Sequence, residues 1–246
     1  MIFLSNDAWE VKETKNKGKG IFAKKSIAPG VVIGDYMGVV LRTKDVDINE
    51  DKEHLYLMYY HDGESIFPNV EKPGIHLLNH SCSPNAWLSI YKGHTLAFTL
   101  RHIFSGEELT ISYLLAPKNE WCSPCPHTCK CGSPTCSHSM HLSKEKYKKW
   151  RLFCQAQAKK DTRAIIRYGK ELPLLSYYPK TISDNPIYDL FGTTQQPPIK
   201  IAGTKLPSVK EIRNLIRSTG RIIDMPKIKT RIYGVADNCV ISGTYR

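Results

Sequence analysis

Three cysteines, Cys129, Cys131 and Cys136, fall within the nine-residue stretch TCKCGSPTC. Such crowding suits thiolates that share a metal ion better than it suits separate disulfides. A structural zinc takes four ligands in a tetrahedron, so the stretch is one ligand short. Nearby candidates are Cys122 and Cys125 of WCSPC, a Cys-x-x-Cys, with His127 and His138 close in sequence. A local knuckle built from these is one solution. A second zinc at Cys122 and Cys125, or a pair of reduced thiols on a turn, is another reading of the same residues. Of the eight cysteines, Cys154 and Cys239 have no neighbour at ligand spacing and read as packing residues.

Charge divides the chain at the same place. Residues 1–140 carry 14 Lys+Arg against 15 Asp+Glu, whereas residues 141–246 carry 21 against 8, so the whole net charge of +12 lies behind the cysteines. A one-sided basic half is the footprint of a binder of nucleic acid or of an acidic surface, or simply a solubilising face. At 246 residues the chain has room for one large domain or two modest ones. The first twenty residues lack a signal-peptide pattern, and no run of about eighteen apolar residues exists to span a bilayer. The expectation is a soluble, intracellular protein with no membrane partner.

Residues 1–115 read as short strands cut by glycine turns. DAWEVKETK (residues 7–15) alternates as a half-buried strand. HLYLMYYHDGESIF is a hairpin about His61-Asp62-Gly63, AWLSIYKGHTLAFTLRHI is another about Lys92-Gly93, and ELTISYLL is a further short strand. Behind the cysteines the pattern turns helical: residues 143–169 place Tyr147, Trp150, Phe153 and Ala156 at near-helical spacing and end at Gly169. SVKEIRNLIRS, with Ser208 and Glu211, has the form of a capping-box helix. The expected divisions are 1–120, 121–142 and 143–246.

GKGIFA (residues 18–23) mimics a dinucleotide fingerprint, but Pro29-Gly30 stops any helix that would have to open there. HLLNHSCSPNAW (residues 76–87) leads from two leucines into a cluster of amide, imidazole and thiol. GEELTISY (residues 106–113) sets paired carboxylates before a strand ending in Tyr113.

In this order, Gly18-x-Gly20, YMG (Tyr36, Gly38), YLM (Tyr56–Met58), NHSCSPN, GEELTISY and the closing Cys-x-Cys-x4-Cys resemble the SET-domain protein lysine methyltransferases with a post-SET zinc segment. The resemblance covers about residues 8–142. It implies a mainly β fold of several small sheets with a knot-like crossing at the active site, a zinc-bound post-SET segment, and a mixed or helical basic C-terminal region. It also implies methyl transfer from S-adenosylmethionine to a lysine ε-amine, with histone tails the family's commonest substrate and the nucleus or chromatin the place of work (a host's nucleus, if the source is a microbe).

By the same resemblance, Lys17, Gly18, Lys19 and Gly20 lie along the cofactor, and Tyr56, Asn79 and His80 hold its amino-acid and adenine parts. Tyr36, Met58, Ile111 and Tyr113 line the lysine channel, with Tyr113 the essential phenol and Tyr36 its catalytic companion. Cys82 of NHSC becomes the fourth zinc ligand beside Cys129, Cys131 and Cys136, so that SHSMHL closes over the site. Where the family often has Phe or Tyr two residues before the essential tyrosine, this chain has Ile111, which leaves room for di- or trimethylation. Where an arginine is frequent three residues before Asn79, it has His76. The sequence offers no obvious Asp-His pair, in keeping with chemistry that needs no strong base. Rival readings are a SET-like reader or scaffold without turnover, and a zinc-knuckle nucleic-acid binder. The basic half is expected to touch nucleosomal DNA.

Overall fold

The computed structural model describes residues 1–42, 56–61, 64–120, 122–158 and 169–182. The expected capping-box helix at Ser208, Cys239 and residues 62–63 of the first hairpin lie outside them.

Short apolar pieces separated by glycines can pair only in small sheets, and four such sheets form among the described residues. β1 (Trp9–Thr14) and β2 (Gly18–Ala23) make an antiparallel pair. β3 (Val32–Asp35) joins the hairpin of β8 (Ala86–Tyr91) and β9 (His94–Thr99) in the order β3-β9-β8. β4 (Val39–Arg42) joins β5 (Met58–His61) and β6 (Glu64–Phe67) in the order β4-β6-β5. The fourth sheet is minimal: β7 (Asn79–His80) lies parallel to β10 (Thr110–Ile111). Both predicted hairpins are present. In β8-β9 the turn residues Lys92 and Gly93 have φ of 46° and 81°, the paired positive values that a two-residue hairpin loop matching strand twist requires.

The strand expected over ELTISYLL shrinks to two residues. The Tyr113 N–H turns to the His80 ring and Leu114 adopts φ 54°, so the ladder ends after Ile111.

Alternation sorts the β3-β9-β8 sheet into two faces. Ile33, Ala97 and Ala86 join the main apolar cluster with Ile21, Ile66, Leu78 and Leu109. Val32, Phe98, Leu96 and Trp87 point the other way, into a second cluster. α1 (Lys144–Ala158) covers this second face with Tyr147, Trp150 and Phe153, spaced for one helical stripe. Ser143 caps it, its hydroxyl accepting the Lys146 N–H at 3.2 Å. Residues 159–168 of the expected longer helix lie outside the described residues. Further on, the chain returns along two sheet edges, where Lys170 and Leu172 bond the backbone of Val40 and Gly38, and Lys180 and Ile182 that of Val32 and Gly30. No helix among the described residues is long and apolar enough to cross a membrane.

Candidate active site and metal clusters

The parallel pairing of β7 with β10 brings NHSC and GEELTISY together, matching Asn79 to Thr110 and His80 to Ile111. Two residues per strand are a weak ladder, and side chains extend it. The Asn85 amide donates to the Glu108 carbonyl at 2.8 Å, and its oxygen accepts the Thr110 N–H at 2.8 Å. The Ser81 N–H reaches the Ile111 carbonyl at 2.8 Å. Asn85 and Ser81 are buried, so each missing bond would leave an unpaired polar group.

The adjacent carboxylates of GEEL part company. Glu107 turns inward to Arg101 at 2.7 Å; burial pushes its carboxyl above the usual range, and Arg101 offsets part of that. Glu108 turns instead to two residues that line the cleft, accepting Lys17 Nζ at 2.5 Å and Asn79 Nδ2 at 2.9 Å. The Asn79 amide also donates to the Lys19 carbonyl at 3.1 Å. Glu108 therefore locks three of the predicted cofactor residues into one arrangement. Gly20 makes room for this: a Cβ there would sit 2.8 Å from both Asn79 Nδ2 and Glu108 Oε1. The sequence pointed to a carboxylate pair but not to which member holds the cleft residues. The usable signal was the place of Glu108 in the stretch leading into β10, one residue from the buried Leu109.

Lys17, Asn79, His80 and Tyr113 meet around a cleft of about 510 Å³, closed on its far side by Pro126, Thr128, Cys129, Cys131 and Met140. That volume lies in the range of small-molecule sites. Gly18, Lys19, Gly20, Tyr36, Tyr56, Met58 and Ile111 are not on its lining. Tyr36 and Ile111 belong to the main apolar cluster, with Tyr56 and Met58 packed against it. The Tyr36 hydroxyl donates to the Tyr56 carbonyl, and burial, reinforced by the Tyr113 and Tyr56 phenols, raises its pKa. Tyr113 is 41% exposed on the cleft rim, yet burial of its hydroxyl pushes the phenol up to about 12. Both tyrosines are therefore protonated at neutral pH.

Burial holds His80 down to about 4, hence neutral. Its Nδ1 accepts the Tyr113 N–H at 3.1 Å, which leaves the proton on Nε2, 3.6 Å from the Cys82 sulfur. One imidazole thus couples the backbone of the candidate phenol to the cysteine cluster. His76 is also neutral, lowered to about 4 by burial, and packs edge-on to Tyr56 rather than lining the cleft. The structure does contain an Asp-His pair that the sequence hid: His94 Nδ1 and Asp35 Oδ2 are 2.6 Å apart, sealed from solvent and away from the cleft lining.

The sulfurs of Cys82, Cys129, Cys131 and Cys136 all lie within 4.8 Å of one another. Cys82 and Cys129 are 3.6 Å apart, and a tetrahedral zinc with Zn–S of about 2.3 Å needs sulfurs about 3.8 Å apart. The Cys131 thiol is lowered to about 4, chiefly by the hydrogen bond from Cys82. The set therefore fits a zinc ion, and its fourth member comes from NHSC rather than from a local knuckle. Cys122 and Cys125 gather instead with His127 and His141. His138, close in sequence, is exposed and in neither group. Cys154 is a half-buried thiol raised to about 11 by burial, as a packing residue should be.

Residues 18–114 match the SET-domain family model. "Histone-lysine N-methyltransferase 2B" of Homo sapiens is 29% identical over 141 residues, 54% of this chain and 5% of that protein. "Histone-lysine N-methyltransferase, H3 lysine-36 specific" of Candida glabrata is 31% identical over 136 residues, 51% of this chain and 18% of that protein. Its namesake in Saccharomyces cerevisiae is 33% identical over 111 residues, 41% and 15% respectively. The matched region thus spans less than a fifth of each of these relatives.

Proposed function

We propose that this chain, whose residues 18–114 match the SET-domain family model, is a protein lysine methyltransferase that uses S-adenosylmethionine and acts on a histone. The observation that carries the reading is the cleft itself. Lys17, Asn79, His80 and Tyr113 converge there from separated segments, against a wall formed by the cysteine-rich segment. The residues fit the cofactor in kind: Lys17, positioned by Glu108, offers a cation for a carboxylate, and Asn79 and His80 offer polar side chains on the lining.

S-adenosylmethionine supplies a methyl group on a cationic sulfonium. The chain's task is to present a neutral amine in line with it. A lysine in water has a pKa near 10.4, and a channel leading towards Tyr36, Met58 and Ile111, which belong to or pack on the apolar cluster, would disfavour its charged form. With Tyr113 and Tyr36 both protonated, neither stabilises a lysine ammonium by charge, and neither is suited to act as a strong base. The Tyr113 hydroxyl, at the rim, orients the amine's lone pair; positioning of this kind supplies a large part of the rate in two-reactant steps. Four thiolates at Cys82, Cys129, Cys131 and Cys136 would hold a structural zinc, tying residues 129–136 to the NHSC segment. Radiolabelled methyl transfer to a histone panel tests the reading. Transfer by the wild type that is lost in Tyr113→Phe supports it, and equal labelling by the two favours a reader without turnover.

A second reading concerns the basic region. Lys144, Lys148 and Arg151 are exposed on one side of α1, beside the stripe that packs on the sheet. We take this face to contact nucleosomal DNA, which would place the protein on chromatin. Reversing these three charges should weaken nucleosome binding in a salt-dependent way while sparing methylation of a free peptide. Equal loss of both would count against it.

A further inference from the structure

Four residues of the cysteine-rich segment take no part in the cleft or in the four-cysteine cluster: Cys122, Cys125, His127 and His141. Their ligand atoms form a closed figure. Cys122 Sγ is 3.3 Å from Cys125 Sγ, 3.3 Å from His127 Nδ1 and 3.4 Å from His141 Nε2. Cys125 Sγ is 3.9 Å from His127 Nδ1 and 3.5 Å from His141 Nε2, and the two imidazole nitrogens are 3.1 Å apart. Zn–S of about 2.3 Å and Zn–N of about 2.0–2.1 Å in a tetrahedron require edges of about 3.3–3.8 Å. All six edges are close to that size.

The surroundings orient the set. His141 Nδ1 faces the Ala116 carbonyl at 2.5 Å, so that nitrogen carries the proton and Nε2 turns its lone pair inward. This outer contact is the usual partner of a metal-bound imidazole. Without a cation, the two rings would aim nitrogen at nitrogen across 3.1 Å with two sulfurs beside them. Both cysteines are free thiols.

We propose that Cys122, Cys125, His127 and His141 bind a second zinc ion, distinct from the one assigned to the four cysteines. Its place in the fold indicates its purpose. Residues 127–129 pair with 138–140 as a short ribbon, through a bridge between Thr128 and Ser139 and the bonds Cys129 N to His138 O and Met140 N to His127 O. The four-cysteine cluster closes one end of that ribbon. The mixed cluster closes the other, where His141 bridges to Leu115 at the end of the β core. Pro126, Thr128 and Met140, which wall the cleft, alternate with or adjoin the proposed ligands. The second ion therefore holds the cleft wall to the core at the end the first ion does not reach.

Metal counting by native mass spectrometry on the full chain tests this without substrate, so its outcome is independent of methyl transfer. The wild type should carry two zinc ions, and Cys125→Ser and His141→Ala one each. Cobalt(II) titration of the wild type should give two spectral components, one of four thiolates and one, at shorter wavelength, of two thiolates and two imidazoles. In Cys125→Ser, hydrogen exchange should speed up at least tenfold around residues 126–128 and 140–142, and less around 131–136. One zinc per wild-type chain, a single four-thiolate cobalt spectrum, or two zincs retained in both variants would each overturn the proposal. If the variants fail to fold, the wild-type count and spectrum still decide it.

Discussion

The two sides of the cleft are built by different physics. The side from β2, β7 and β10 rests on buried apolar residues: Ile21, Leu78, Leu109 and Ile111 are each 5% exposed or less. Between residues 122 and 141 only Cys129 and Ser133 are buried. A segment with so little apolar burial cannot offset the entropy of ordering its backbone. What it has instead are eight metal-ligand side chains in two groups, one borrowed from NHSC. The floor of the cleft is thus a product of folding, whereas the wall, with the two proposed zinc ions, would be held by metal. Such a protein can lose its activity without losing its core.

The largest expected effect separates these two halves. Zinc sites in small domains are worth about 10–16 kcal/mol of apparent binding, so chelation, or Cys82→Ser, should abolish methyl transfer. Circular dichroism should still report the strands, and the core should still melt cooperatively. Full activity with the metal gone, or collapse of the core along with the wall, would break the comparison. Next comes Tyr113→Phe, which alters neither side's packing because the phenol lies on the rim. A positioned hydroxyl of this kind is worth about 10²–10³ in kcat, with zinc content unchanged. A loss below threefold would remove Tyr113 from the chemistry.

How far each half was legible in the sequence follows from the same difference. Alternation and glycine turns marked the hairpin at Lys92-Gly93 and the strand at Trp9–Thr14, because their signals are local. The helix behind the cysteines was marked by the spacing of Tyr147, Trp150 and Phe153, although which sheet face it covers was not. The pairing of Asn79–His80 with Thr110–Ile111 has no local signal at all: two residues per strand leave no periodicity, and the bonds that extend it come from Asn85. Resemblance brought Cys82 to the other three cysteines; spacing alone had left local donors open. Glu108 went unassigned because identical neighbours, Glu107 and Glu108, differ only in the direction the backbone gives them just before β10. His141 was missed because its partners lie sixteen and nineteen residues back.

A smaller effect probes the polar part of the floor. Glu108→Gln keeps the side chain's shape and a possible contact to the Asn79 amide but removes the negative partner of Lys17. Charge-assisted hydrogen bonds contribute about 1.5–3 kcal/mol, so S-adenosylhomocysteine should bind roughly tenfold more weakly by calorimetry, with zinc content intact. An unchanged affinity would mean that the floor holds Lys17 by packing alone.

The smallest effect is one of product rather than rate. Ile111 is 5% exposed, in the apolar cluster with Tyr36, and pairs with His80 through the backbone. In the proposed lysine channel its side chain would offer no hydrogen bond to a water or an amine, and an aliphatic wall would leave space for methyl groups already added. Ile111→Phe should fill that space. Mass spectrometry of a methylated peptide should then shift from di- and trimethyl-lysine towards the monomethyl form, at a packing cost of about 1–3 kcal/mol in the core. Because Ile111 lies in the apolar cluster and off the cleft lining, the zinc count and cofactor affinity should not move. If they fall together with the product ratio, floor and wall are mechanically coupled through His80, and the division between a folded floor and an ion-held wall would need redrawing at that residue.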